Sequence, residues 1–166
     1  EKVLKINPNS DEAVVNLSKS YFDEGRLSEV VEVAKKGLSQ NSKNIPLSKI
    51  LIASLFLLNS FDEASAECKK ILSVDNNDPD TINLMGTILE KQGHYVQAKK
   101  HFLRALELDK NFDLAKLNIA ALYLLEGNID EANRVYTDIK KEESDDPEVL
   151  YQRSAFALKL ENFKEG

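Results

Sequence analysis

Tryptophan is absent, and cysteine and methionine occur once each. The single thiol, Cys68, can close no internal disulfide and cannot build a cysteine-rich metal site. Proline is scarce, with four in 166 residues, and Pro8, Pro79 and Pro147 sit near junctions. Basic residues are outnumbered: 22 Lys and Arg against 28 Asp and Glu give a net charge of −6. Phosphate-backbone binding needs clustered Lys and Arg, so no nucleic-acid partner is expected. Long hydrophobic runs are missing too. The longest, Ile45 to Leu58 (IPLSKILIASLFLL), falls short of the ~20 residues of a membrane span and contains Lys49, so no membrane insertion is expected. No signal-peptide pattern is seen. The chain opens on EKVLKINP, without Met, which reads as the end of an earlier element and suggests an excised fragment. What is present in quantity is apolar residue, 42%, enough for a substantial core.

That apolar content recurs with a fixed period. Gly25, Asn59, Gly93, Gly127 and Glu161 follow one another at steps of 34. Two residues on come Leu27, Phe61, Tyr95, Ile129 and Phe163, all large and apolar. Five on come Val30, Ala64, Ala98 and Ala132. The register holds without insertion and divides the chain into units 11–44, 45–78, 79–112 and 113–146, with partial units 1–10 and 147–166.

Each unit is read as two helices, A and B. In the third, Ile82, Met85, Gly86 and Leu89 share one helical face, and Ala98, Phe102, Ala105 and Leu106 share another. Gly25, Gly93 and Gly127 supply the left-handed residue that ends a helix. Ser60 with Glu63, Asn128 with Glu131, and Asn162 with Glu165 stand at capping-box spacing. Asp78-Pro79 and Asp146-Pro147 place a cap residue before a proline at the first helical position.

Glycine inside a helix costs about 1 kcal/mol relative to alanine, so Gly86 implies a close approach. The expectation is that Gly86 faces Ala98 and that Ala105 leaves room for the next unit. Unit 45–78 has Ile52 in place of Gly86, Ile71 in place of Ala105 and Cys68 in place of Phe102. That reads as an exchange of volume between partners in one core. Arg153 stands where Leu17, Leu51, Met85 and Ile119 are core. Either the last unit is distorted there or the guanidinium meets a carboxylate beyond the sequence.

Met85-Gly86, Leu89, Gly93, Tyr95, Ala98, Phe102, Ala105 and Asp109 together resemble the tetratricopeptide repeat, and the register extends the resemblance over essentially the whole chain. The family's late proline survives at Pro8 and is replaced by Ser42, Asn76, Lys110 and Ser144. The resemblance implies an all-α fold, a right-handed superhelical solenoid of antiparallel helix pairs in one array. It further implies that A helices line a concave side. Carried over by position, the partner-binding residues are Val15, Asn16, Lys19 and Phe22, then Lys49, Phe56 and Leu57, then Asn83, then Leu117, Asn118, Leu124 and Leu125, and finally Tyr151. Asp23, Ala53, Thr87 and Glu90 fall on the same side, and Asn16 and Asn118 are placed to hold a peptide backbone. The basic members of the clamp with which some relatives read acidic chaperone tails are missing, so such a tail is not expected as ligand.

Chemistry is not in view. Phosphate-loop, HExxH, CxxC and GxSxG motifs are absent. His94 and His101 have no third ligand, and Cys68 occupies a core slot, so no metal, no cofactor and no catalysis are expected. The function expected is a scaffold that binds a protein, peptide or helix in an apolar concave groove. The alternatives are a self-assembling module, including weak homo-oligomers formed by end stacking, and a docking or regulatory domain of a larger enzyme. Localisation stays open between cytoplasm and periplasm.

Overall fold

The computed structural model describes residues 10–140 and 147–165, and every regular element among them is an α-helix. In order these are α1 (Asp11–Asp23), α2 (Leu27–Gln40), α3 (Ile45–Leu57), α4 (Phe61–Val74), α5 (Pro79–Lys91), α6 (Tyr95–Leu108), α7 (Asp113–Leu125), α8 (Ile129–Lys140) and α9 (Pro147–Glu165). The A helices α1, α3, α5, α7 and α9 begin at steps of 34, and so do the B helices α2, α4, α6 and α8.

The turn between A and B is the same in all four pairs. Gly25, Asn59, Gly93 and Gly127 adopt positive φ, at 73°, 58°, 80° and 75°. Each closes a double hydrogen bond back onto the A helix. The Gly25 N–H donates to the Phe22 carbonyl and Arg26 N–H to Tyr21, both at 2.9 Å. Asn59 and Ser60 donate in the same way to Phe56 and Leu55, at 3.0 and 2.8 Å. This arrangement satisfies carbonyls that a helix end leaves unpaired, and it requires a residue that tolerates the left-handed region, as glycine and asparagine do. Glutamate does not favour it, and α9 runs on through Glu161 to Glu165. The expected start of a B helix at Phe163, with Asn162 as its cap, is corrected accordingly.

Only some of the expected caps form. Ser10 accepts from the Ala13 N–H at 3.4 Å, and Asn44, followed by Pro46, accepts from Leu47 at 3.1 Å. Ser60 makes no side-chain cap bond, and neither do Arg26 and His94 at the equivalent positions. All three share φ near −85° and ψ of 56–62°. The capping-box reading of Ser60 is corrected: its side chain makes no cap bond, and Glu63 meets Lys35 of α2 at 2.6 Å. The side chain of Asn128 donates to Glu126 at 3.2 Å. Pro79 opens α5 as expected, with Asp78 accepting from the Thr81 hydroxyl rather than from the backbone. Asp146 lies outside the described residues.

The chain forms two compact units, Glu1–Asn76 and Asn77–Gly166. In the first, α1 packs on α2 and α3, and α3 packs on α2 and α4. Its core holds Val14, Val30, Ala34, Leu47, Leu51, Ile52, Leu55, Ala64, Cys68 and Ile71. Gly37 of α2 is a contact point: a Cβ there would lie 2.7 Å from both Leu47 and Val14. Its missing side chain lets α1 and α3 close on α2 together. Ile52 and Cys68 are both completely buried, as the volume exchange requires. Burial, with Glu67 adding, pushes the Cys68 thiol up to about 12, so it stays protonated and inert.

In the second unit α5 packs on α6 and α7, α7 also on α6 and α8, and α9 on α7 and α8. Gly86 makes room for an aromatic ring, which corrects the expectation that it faces Ala98. The three atoms nearest to a Cβ at Gly86 all belong to Phe102, at 2.5, 2.7 and 3.1 Å. Lys99 of α6 grips α7, its ammonium 3.0 Å from both Glu126 carboxylate oxygens and 4.3 Å above the Tyr123 ring. Val149, Phe156 and Leu160 of α9 complete a core with Leu117, Ala120, Leu124, Ala132 and Ile139, and the Phe156 and Tyr136 rings stand 4.9 Å apart. Helix α9 continues undistorted through Arg153, whose side chain is half-buried.

Candidate interaction surface

In the first unit the helical register of α1 turns Lys19, Phe22 and Asp23 toward α3, which answers with Lys49, Ile50 and Ala53. These six residues line an open, predominantly apolar groove of about 270 Å³. Lys19, Phe22 and Lys49 from the sequence reading are therefore brought together. Ile50, which stands at the repeat position of Asn16 and Asn118 and interrupts an asparagine ladder there, also lines the groove. Val15 is half-buried and Asn16 exposed on α1. Phe56 is half-buried, its ring edge-on to Phe61 at 5.6 Å, and Leu57 is 54% exposed.

In the second unit the expected residues separate into three groups. Asn83 and Asn118 are both buried and meet each other: the Asn118 amide donates to the Asn83 side-chain oxygen at 3.0 Å, with Thr87 Oγ1 at 3.5 Å. Two asparagines placed on an open face thus serve to link α5 to α7. Leu117 and Leu124 are each 2% exposed and belong to the core against α8 and α9, which corrects the expectation that they face a groove. Leu125 and Tyr151 are open, at 61% and 71%.

The physical reason is that α7 is surrounded. With α5, α6, α8 and α9 all packed against it, its apolar residues cover several directions, and periodicity cannot distinguish a core leucine from a groove leucine. Glu90, near the end of α5, is half-buried, and burial raises its carboxyl pKa while Lys91 and Lys159 pull it back. His101 is half-buried, and burial lowers its imidazole pKa. Among the described residues no group of three or more His, Cys, Asp or Glu side chains could hold a metal ion. No helix among them is long and apolar enough to cross a membrane.

A repeated pair of helices, closed by one left-handed residue and packed on its successor, defines a class of helix-pair repeat proteins. Residues 89–153 match the model of the tetratricopeptide repeat family. No curated protein sequence matches it. Solved structures with the same fold include a thermophilic tetratricopeptide-repeat protein of Thermus thermophilus, 19% identical with a TM-score of 0.80 over 95% of this chain and 86% of that one. They also include pilF of Pseudomonas aeruginosa, 20% identical with a TM-score of 0.75 over 99% and 81%. A third is MamA, 22% identical with a TM-score of 0.70 over 94% and 85%. At these identities the likeness is one of fold.

Proposed function

We propose that the chain is a protein-interaction scaffold that holds an apolar or amphipathic peptide or helix against its A helices. The groove between α1 and α3 carries this reading: Phe22, Ile50 and Ala53 form an open apolar surface edged by Lys19. An amphipathic segment docks by burying a few apolar anchors in such a groove, and its polar side remains in water. The exposed Leu57 extends the apolar surface along α3. The test begins with partners recovered from the source organism, identified and purified, and their affinity measured by calorimetry. Phe22→Ala and Ala53→Glu should each weaken binding by roughly 1–3 kcal/mol, the usual cost of disturbing a central anchor, with helicity unchanged. Unaltered affinity in both variants refutes the groove.

A second reading, self-association, is favoured by one observation: α9 leaves Leu150, Tyr151 and Leu158 exposed at 45%, 71% and 64%. Burying two or three large apolar side chains against a second copy contributes several kcal/mol, at about 25 cal/mol per Å². Light scattering from micromolar to millimolar protein should show a mass that rises with concentration and a Tyr151→Glu/Leu158→Glu variant that stays at 18.7 kDa. A wild-type mass fixed over that range removes this reading.

A further inference from the structure

We draw no further inference here: the strongest candidate, the apolar groove between α1 and α3, belongs to the site already described, and nothing in the structure shows what covers it.

Discussion

Placing a methyl group on Gly86 tests the packing of the second unit at its tightest point. The new Cβ would stand 2.5 Å from one Phe102 ring carbon and 2.7 Å from another. Carbon atoms settle at about 3.5–4.0 Å, so the overlap is on the order of 1 Å. Phe102 is completely buried and has nowhere to swing, so α5 and α6 must part or the ring must leave its rotamer. Such overpacking costs roughly 1–3 kcal/mol, and replacing a helical glycine returns up to about 1 kcal/mol. Gly86→Ala should therefore lose about 1–2 kcal/mol net, and Gly86→Leu more. Gly127→Ala makes the useful contrast: nothing lies within 4 Å of its Cβ, and its φ of 75° makes the cost one of backbone strain, about 1 kcal/mol. The first unit supplies the rescue, since Ile52 and Cys68 occupy the positions of Gly86 and Phe102. Gly86→Ile combined with Phe102→Cys should be less destabilised than the two single changes added together, by about 0.5–3 kcal/mol of coupling. Urea melts followed by circular dichroism give the midpoints, and an unchanged slope certifies that stability alone has moved. A Gly86→Leu variant more stable than Gly127→Ala, or a double variant with strictly additive loss, would refute the reasoning.

Four further outcomes are expected. Ser18 is completely buried with its hydroxyl unpartnered, so Ser18→Ala should raise stability by about 1 kcal/mol in the same melts. Asn83→Ala removes the closer acceptor of the buried Asn118 amide and should cost about 1–3 kcal/mol. The Cys68 thiol, with its pKa pushed to about 12, is ionised at pH 8 on the order of one part in ten thousand, so an aromatic disulfide reagent should react only once denaturant opens the fold. Glu90 has a folded pKa above its unfolded one, so the folded state binds the proton more tightly; stability should fall as pH rises from the ordinary glutamate range through the raised value, and Glu90→Gln should flatten that dependence in melts at a series of pH values.

The fold was legible in the sequence because its signals are local and repeat. Gly25, Asn59, Gly93 and Gly127 each mark a turn by a backbone conformation few residues accept, and the 34-residue step makes each one corroborate the others. Asn59 holds the same conformation without being glycine, so the register carried information that residue type alone did not. The caps were less legible, since residue type and spacing do not decide whether a cap bond forms: Asn44 makes one, and Ser60 and Asp78 do not. A further regularity went unread: Asn41, Asp75 and Asp109 end α2, α4 and α6 in one extended conformation, and Asn41 and Asp109 turn the chain by accepting from Lys43 and Asn111 at 3.1 and 2.9 Å.

The candidate surface was legible only in part. Lys19, Phe22 and Lys49 were reached through the resemblance, by carrying the family's concave positions over onto the A helices. Leu117 and Leu124 were misplaced because α7 is apolar in many directions at once. Both are taken up in one core with Ala132 and Ile139 of α8 and Val149, Phe156 and Leu160 of α9.

The groove between α1 and α3 is the central claim, and photocrosslinking tests it most directly. A photoreactive amino acid placed at Ala53, on the groove, and another at the exposed Lys36 of α2 serve as probe and reference against the purified partner. Mass spectrometry of the products should show efficient crosslinks from position 53 to one short apolar or amphipathic segment of the partner, with few from position 36. Efficient crosslinking from position 36 with none from 53 would contradict the account.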